Sequence, residues 1–219
     1  MVNSIMRTNN VVPLQRKISR DQRRQQLIDA TIRVLARRGF AQTTMTDVAN
    51  EAGVSHGLVN FHFQSKDNLL SETLLFMAEE YRKSWTQALA AAGNSPAEKL
   101  KAMLLADYEE DISSSDLLAS WLAFWGEAQS RPLYQQECGA NDLAYIKQLE
   151  DICADLIREG DYGHDVVRTA RVLRLTSEGL WLDILSMISS YSRKEAAQTL
   201  LACAAVHFPK HFGANGEIL

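Results

Sequence analysis

The chain of 219 residues is 46% hydrophobic and 23% charged, with 11 glycines and 4 prolines, which predicts one globular core or one core with a small satellite domain. No apolar run approaches the roughly 18 residues of a membrane span and the N-terminus lacks an apolar signal region, so we expect a cytoplasmic protein without membrane contact. The net charge of −4 is unevenly divided, because residues 1–70 contain ten Lys or Arg against five Asp or Glu, and this local excess of cations favours a polyanionic partner.

The chain is expected to begin with a flexible arm, residues 1–18, followed by an amphipathic helix from Ser19 to Arg38. Gly39 follows at the position where a helix commonly ends in a left-handed residue. The apolar positions that recur at helical spacing are Leu27, Ile28, Ala30, Thr31, Val34 and Leu35.

Two short helices follow. Thr44 has the position of an N-cap, and Asp47 three residues later completes a capping-box pattern for a helix that runs to about Ala52. Gly53 supplies a turn, and Ser55 caps the next short helix. Each helix is only about two turns long, so neither is expected to be stable by itself.

The rest of the chain shows helical periodicity with no strand pattern, repeat or linker. Ser65 caps a long helix, and Ser95 with Pro96 starts another. The predicted helices cover residues 66–92, 97–111, 116–130, 133–159, 164–190 and 193–208. The fold class predicted from the sequence is therefore all-α, with nine helices.

The two short helices have the proportions of a helix-turn-helix, whose second helix enters the major groove of DNA. The positions expected to face inward are Val48, Ala49, Ala52, Val54, Leu58 and Phe61. Among the others, Asn60 suits a base edge or a phosphate, Gly57 permits close approach of the backbone, and Lys66 stands at a helix N-terminus that favours a phosphate. The full set expected to bind DNA is Thr44, Thr46, Ser55, His56, Gly57, Asn60, Phe61, His62 and Lys66. A helical hairpin with a solvated face is the alternative interpretation.

The stretch TTMTDVANEAGVSHGLVNFHFQSKDNLL, from Thr43 to Leu70, and the preceding RRQQLIDATIRVLARRGF resemble the TetR family of transcriptional regulators. The resemblance implies a DNA-binding domain over 19–66 and a larger helical domain over 67–219 that binds a small molecule and forms a homodimer. It also implies repression at double-stranded operator DNA that the ligand relieves. The chain departs from the family pattern at Asn60, where an aromatic residue is usual, and at Leu58, where Thr or Ser is usual.

The C-terminal part is unusual for its tryptophans. Trp121 and Trp125 stand four residues apart on one helical face, and this spacing alone favours ordinary core packing. Indole faces close to an acid also suit a quaternary ammonium, which is held by cation–π attraction. The candidate ligand-binding residues are Tyr108, Trp121, Trp125, Asn141, Asp142, Tyr145, Glu178 and Trp181, with Glu127 and Asp183 as further carboxylates.

Four segments of this part, WLAFW, RPLYQQ, ND at Asn141 and Asp142, and GLWLDIL, are similar to the choline-responsive repressors of the BetI type. This resemblance implies choline or another small cationic amine as effector. The last two long helices should then pair across a two-fold interface, and their apolar faces offer Val166, Val167, Ala170, Leu173, Leu180, Ile184, Leu200, Leu201, Ala204 and Ala205. The helix over 66–92 is the only predicted element that begins beside the DNA-binding pair and enters the body, so we expect the ligand to move it.

Other chemistry is weakly indicated. The three cysteines, Cys138, Cys153 and Cys203, match neither a disulfide framework nor a paired-Cys zinc site. Cys203, His207 and His211 have metal-ligand spacing, but Pro209 interrupts the helix that would align them, so no metal or cofactor is expected. No catalytic motif is present and we expect no enzyme activity. A helical ligand-binding protein without DNA function remains the alternative, and the salt dependence of DNA binding separates the two.

Overall fold

The computed structural model describes residues 19–128, 132–188 and 192–219, and within them the fold is all-α, as predicted. The whole predicted arm, residues 1–18, and parts of the helices over 116–130 and 164–190 lie outside the described residues. The helices of the described chain are α1 (Arg20–Gln42), α2 (Met45–Ala52), α3 (His56–Phe63), α4 (Lys66–Ala91), α5 (Pro96–Ala106), α6 (Ser115–Ala128), α7 (Pro132–Gly160), α8 (Val166–Ser186) and α9 (Arg193–His207). None of the helices found there is long and apolar enough to cross a membrane.

The helix ends follow the local sequence signals closely. Ser19, Thr44 and Ser95 each accept a hydrogen bond from the backbone three residues later and form capping boxes. Gly39 interrupts α1 with φ 75° and ψ 173°, and Gly53 ends α2 in the left-handed region with φ 66° and ψ 36°, conformations that favour glycine. The glycine predictions are therefore confirmed, although a short helical stretch continues α1 beyond Gly39.

Two predicted helices are shorter in the structure. The helix predicted over 97–111 ends at Ala106, and turns occupy the residues before α6. The helix predicted over 164–190 starts at Val166, after the N-cap Asp165, and ends at Ser186. The early end of α5 matters for the site, because it leaves Asp107 at a helix end with its side chain turned into the body.

The N-terminal part is a small bundle in which α2 packs on α1, and α3 packs on α2 and on the start of α4. Its core contains Leu27, Ile28, Val48, Val59 and Phe63, each at most 1% exposed. At its surface, Arg33 and Arg37 both form ion pairs with Glu51. Because α2 and α3 are too short to be stable alone, this packing holds them in place.

Two helices, α4 and α6, connect this bundle with the body. Helix α4 runs from the end of α3 to α5 and α7, whereas α6 packs along α1. Phe124 of α6 meets Phe40 of α1 edge to face, with ring centroids 5.6 Å apart. Helix α4 begins beside α3 and enters the body, as expected, but it is not the sole connection, because α6 contacts α1 directly.

The residues predicted to form the dimer face are also wrong. Leu173, Leu200, Leu201, Ala204 and Ala205 are buried inside the subunit, where α8 packs between α7 and α9. The apolar side chains that α8 and α9 leave exposed are others, namely Val167, Val172, Leu175, Leu182 and Val206. Only Val167 belongs to both sets.

Candidate functional site

The first candidate surface is formed by α3 and the caps of the two short helices. Thr44 Oγ1 accepts from the amide of Asp47 at 3.1 Å and donates to its carboxylate at 2.6 Å. The Thr44 hydroxyl and the Arg38 guanidinium lower the pKa of Asp47. Ser55 Oγ accepts from the amide of Leu58 at 3.3 Å. Thr44, Thr46 and Ser55 are all exposed, and Ser55 directly precedes α3.

The outer face of α3 consists of His56, Gly57, Asn60 and Phe61, all of them exposed. Their spacing of one, three and one residues puts them on one side of a helix. The expectation that Phe61 faces inward is wrong, since its side chain is 65% exposed. The guanidinium of Arg20 lies 5.9 Å from its ring centroid.

The inward positions of α3 are Val59 and Phe63, which are 0% and 1% exposed, while Leu58 is half-buried. An eight-residue helix with apolar residues at 58, 59, 61 and 63 offers two possible inner faces, and contact with α2 and α4 selects one. Phe61 is thereby left on the outside, next to the polar residues expected to meet DNA.

His62 and Lys66 are less available than expected. His62 is half-buried, and burial together with the nearby Arg20, Arg23 and Arg24 lowers its pKa. The Nζ of Lys66 donates to the carbonyl oxygens of Phe40 and Ala41, at 3.2 and 2.9 Å. Lys66 therefore satisfies carbonyl groups at the end of α1 as well as standing at the N-terminus of α4.

The second candidate site is a cavity of about 280 Å³ inside the helical body. Helices α4, α6, α7 and α8 and the end of α5 surround it. Its lining combines six aromatic rings with three carboxyl groups and one guanidinium, a composition suited to a small organic ligand. The lining residues are Tyr81, Asp107, Trp121, Trp125, Tyr134, Asp142, Tyr145, Ile146, Arg174, Ser177, Glu178 and Trp181.

Three indole rings form one continuous wall of this cavity. Trp125 stacks on Trp181 with centroids 6.2 Å apart and ring planes 14° apart, and Trp121 lies 6.4 Å from Trp125. Trp125 Nε1 donates to the hydroxyl of Tyr134 at 3.0 Å, and Trp181 Nε1 donates to the carbonyl oxygen of Asp107 at 3.1 Å. Because the indole nitrogens of Trp125 and Trp181 are both hydrogen-bonded, the orientation of these two rings is fixed.

Tyr81 of α4 and Tyr145 of α7 extend this wall, with ring centroids 5.5 Å apart. The Tyr81 ring meets Trp181 edge to face at 5.9 Å, which makes the five rings continuous. Through Tyr81, α4, which begins at the DNA-binding bundle, contributes a ring to the cavity.

Asp107 is the polar centre of this wall. Its carboxylate accepts hydrogen bonds from Tyr81 at 2.8 Å, from Ser177 at 2.6 Å and from Tyr145 at 3.3 Å. Burial raises the pKa of Asp107 to about 6, although the three hydroxyl groups act in the opposite direction. The carboxyl group is therefore largely ionised only above about pH 6.

The remaining charges lie around the mouth. Glu178 forms an ion pair with Arg174 one turn earlier on α8. Asp142 is exposed as a residue, yet its carboxyl group lines the cavity, where burial raises its pKa and Tyr134 donates a hydrogen bond to it. With one guanidinium against three carboxyl groups, the cavity carries a negative charge when these groups are ionised.

Both parts of the chain match known families. The model described as "Bacterial regulatory proteins, tetR family" matches residues 27–73, and the model described as "BetI-type transcriptional repressor, C-terminal" matches residues 96–208. The chain belongs to the TetR family of transcriptional regulators. Within that family its C-terminal domain is of the BetI type, and the family consists of ligand-responsive repressors that bind operator DNA.

Individual TetR-family proteins agree with this assignment. The HTH-type transcriptional regulator BetI of Burkholderia mallei (strain NCTC 10229) is 35% identical over 163 residues, which cover 74% of this chain and 82% of that protein. The protein of the same name from Paraburkholderia xenovorans is 32% identical over 163 residues, with the same shares.

Solved structures show the same fold. A transcriptional regulator from Pseudomonas aeruginosa PAO1 superposes with a TM-score of 0.74 at 27% identity, over 87% of this chain and 92% of that one. A regulator from Saccharomonospora viridis, solved in complex with choline, has a TM-score of 0.69 at 20% identity, over 83% and 94% of the two chains.

The cavity of this TetR-family protein contains six of the eight residues expected to bind the ligand. Tyr108 lies behind the wall, where its hydroxyl group contacts Ser177, and Asn141 does not line the cavity. The lining residues that sequence reasoning missed are Tyr81, Asp107, Tyr134, Ile146, Arg174 and Ser177. A signal for Asp107 did exist, because it continues the buried helical spacing of Leu100, Met103 and Leu104.

Cys203, His207 and His211, which have metal-ligand spacing in the sequence, contact different partners in the structure. Helix α9 ends at His207, and His211 instead bonds through Nδ1 to the hydroxyl of Tyr162 at 3.0 Å. No group of three or more His, Cys, Asp or Glu side chains suited to a metal ion occurs in residues 19–128, 132–188 and 192–219.

Proposed function

We propose that this protein is a homodimeric repressor that leaves its operator when a quaternary ammonium compound of the choline type enters the cavity. The observation that carries the proposal is the juxtaposition of three indole faces with a buried carboxylate. Trp121, Trp125 and Trp181 present their rings to the same space that Asp107 lines.

The chemistry of this cavity suits a cation without hydrogen-bond donors. A quaternary ammonium offers only methyl groups, so it is attracted by the negative faces of aromatic rings and by carboxylates rather than by hydrogen bonds. The one guanidinium in the lining, Arg174, is already paired with Glu178, which reduces its repulsion of a cationic ligand. The BetI name of the curated relatives and the choline complex of the Saccharomonospora viridis regulator support the same ligand class.

We assign DNA binding to residues 19–66 and effector binding and dimerisation to residues 67–219. The outer face of α3 would enter the major groove, with Asn60 and His56 able to contact base edges and Phe61 able to contact a thymine methyl group. Thr44, Thr46 and Ser55 would contact the phosphate backbone beside it. Gly57 leaves space for close approach, since nothing but Ser55 Oγ, at 4.0 Å, lies near the position of an added Cβ atom.

We assign the dimer contact to the exposed apolar stripe of α8. Val172, Leu175 and Leu182 share one side of the helix, and Gly179 stands between them with open space where a Cβ atom would lie. Val206 of α9 is 78% exposed and adds to the apolar surface. A stripe of this kind is buried when two copies pack together, and a glycine at its middle allows two helices to approach closely.

The decisive experiment measures binding to DNA from upstream of the protein's own gene by fluorescence anisotropy, with choline and with its uncharged carbon isostere. Choline should weaken DNA binding by at least about tenfold, which corresponds to about 1.4 kcal/mol of coupling, and the isostere should have little effect. Equal effects of the two compounds, or no effect of choline, would overturn the proposal. In the absence of ligand, DNA binding should weaken steeply with salt, since it rests on phosphate contacts.

A further inference from the structure

The buried charge of Asp107 needs an explanation beyond the fold. Asp107 is 2% exposed, and no other Asp, Glu, Lys or Arg among the described residues is buried. Taking a carboxylate out of water is costly unless an opposite charge or several hydrogen bonds compensate it. A helical body stabilised only by packing would be better served by an apolar or amide side chain at this position.

The protein compensates Asp107 only in part. The hydroxyl groups of Tyr81, Tyr145 and Ser177 donate hydrogen bonds to its two oxygens. None of the Lys, Arg and His side chains in the described ranges forms an ion pair with it, and no cation contributes to its pKa. The negative charge thus faces the cavity without a countercharge of its own.

The charged groups around Asp107 increase this imbalance. From α8, Glu178 raises the pKa of Asp107 further, while the guanidinium of Arg174 is occupied by Glu178. From α7, the cavity receives the carboxyl group of Asp142. The α4 and α6 walls contribute aromatic rings, so no described wall supplies a free positive charge.

Building on the proposed function, we propose that Asp107 is the countercharge of the cationic effector, and that effector binding is coupled to loss of the proton from its carboxyl group. The cation stabilises the carboxylate, and the proton passes to solvent. Asp107 would then distinguish a cation from an uncharged molecule of the same shape, whereas the indole rings would recognise the shape and the methyl groups.

This coupling sets the pH dependence of effector affinity. Because burial raises the pKa of Asp107 to about 6, the carboxyl group of the free protein is neutral below that pH and ionised above it. A cation favours the ionised form, so affinity should rise with pH by at most about tenfold for each pH unit up to about pH 6 and become constant above it.

The wild-type protein provides the first test, without any substitution. Choline binding is measured by calorimetry at pH 6 in two buffers that differ in ionisation enthalpy, and the difference gives the number of protons released. We expect about half a proton at pH 6 and close to none at pH 8. The uncharged isostere should release none at either pH. Choline binding at pH 6 without proton release would overturn the coupling.

Two matched substitutions provide the second test. Asp107→Asn keeps the size of the side chain but removes the charge, so choline affinity at pH 8 should fall by at least about tenfold, and the part of its pH dependence that levels off near pH 6 should disappear. Asp142→Asn removes a carboxylate from the same cavity at its mouth, and the rise in affinity up to about pH 6 should remain. Choline affinity in Asp107→Asn equal to the wild type would overturn the role of Asp107 and leave the proposed function intact. Wild-type protein that binds no choline at all would overturn both.

Discussion

Ser120 Oγ lies 2.9 Å from the carbonyl oxygen of Ile32, although 88 positions separate the two residues. It also lies 2.7 Å from the carbonyl oxygen of Asp116 in its own helix, so its hydroxyl proton is shared between the two acceptors. The bond to Ile32 joins α6, which carries Trp121 and Trp125 of the cavity wall, to α1, on which α2 of the helix-turn-helix packs. Ser120 is fully buried and precedes Trp121 directly. A ligand that displaces the α6 wall would therefore displace a direct contact of the DNA-binding bundle.

The first prediction tests this connection. Ser120→Ala removes the bond between the helices and should cost about 1 kcal/mol of stability, while choline should weaken operator binding less than it does in the wild type. The measurement is the operator dissociation constant with and without choline. Ser113→Ala is the matched control, because Ser113 is also buried but donates only to Glu109 nearby in the chain, at 2.9 Å. Similar losses of coupling in both variants would contradict the connection.

The second prediction concerns Phe61. Phe61→Ala should leave the free energy of unfolding within about 0.5 kcal/mol of the wild type and weaken operator binding, because the ring is exposed on the outer face of α3. Phe63→Ala should instead cost roughly 3–5 kcal/mol, as expected for a buried ring. Chemical denaturation and anisotropy measure the two effects. Strong destabilisation by Phe61→Ala would show that the ring packs inward.

The third prediction concerns the aromatic wall. Trp125→Leu keeps an apolar side chain in the cavity but removes the ring that stacks on Trp181, so choline affinity should fall by about 0.5–2 kcal/mol. Binding of the uncharged isostere should change less. Calorimetry with both compounds measures the difference, and undiminished choline affinity would leave Trp125 an ordinary core residue.

The fourth prediction is a dependence of stability on pH. The pKa of Asp107 is raised from 3.8 to about 6, so the folded state keeps a proton that the unfolded state loses between these values. Ionisation of buried Asp107 therefore leaves the stability unchanged below about pH 4 and lowers it by up to about 3 kcal/mol above pH 6. The stability of Asp107→Asn relative to the wild type should therefore increase by up to about 3 kcal/mol as the pH rises from 4 to 7. Thermal unfolding across this range measures the difference, and a difference that is independent of pH would exclude the titration of Asp107 as its cause.

The fifth prediction concerns the dimer. Leu182→Glu places a charge in the exposed stripe of α8 and should shift the protein to a monomer at micromolar concentration, as measured by sedimentation velocity. Leu143→Glu is the control, since Leu143 of α7 is also exposed, at 69%. It should leave the assembly unchanged. A monomeric wild type, or an unchanged dimer in Leu182→Glu, would contradict the assignment.

The sequence by itself determined the features that depend on near neighbours in the chain. The capping boxes at Thr44 and Ser95, the left-handed Gly53 and the break at Gly39 follow from short-range hydrogen bonding and steric freedom. The contact of Trp121 with Trp125 follows from their spacing of four residues.

Only the tertiary structure decided which distant residues share the cavity and which face of a short helix is buried. Trp181 stacks on Trp125, and Asp107 collects hydroxyl groups from α4, α7 and α8, because helices remote in sequence pack around one space. Phe61 is exposed because the docking of α3, and not its apolar pattern, selects the inner face. Within a helix of about two turns, periodicity leaves that choice open, and the burial of Val59 and Phe63 against the rest of the bundle makes it.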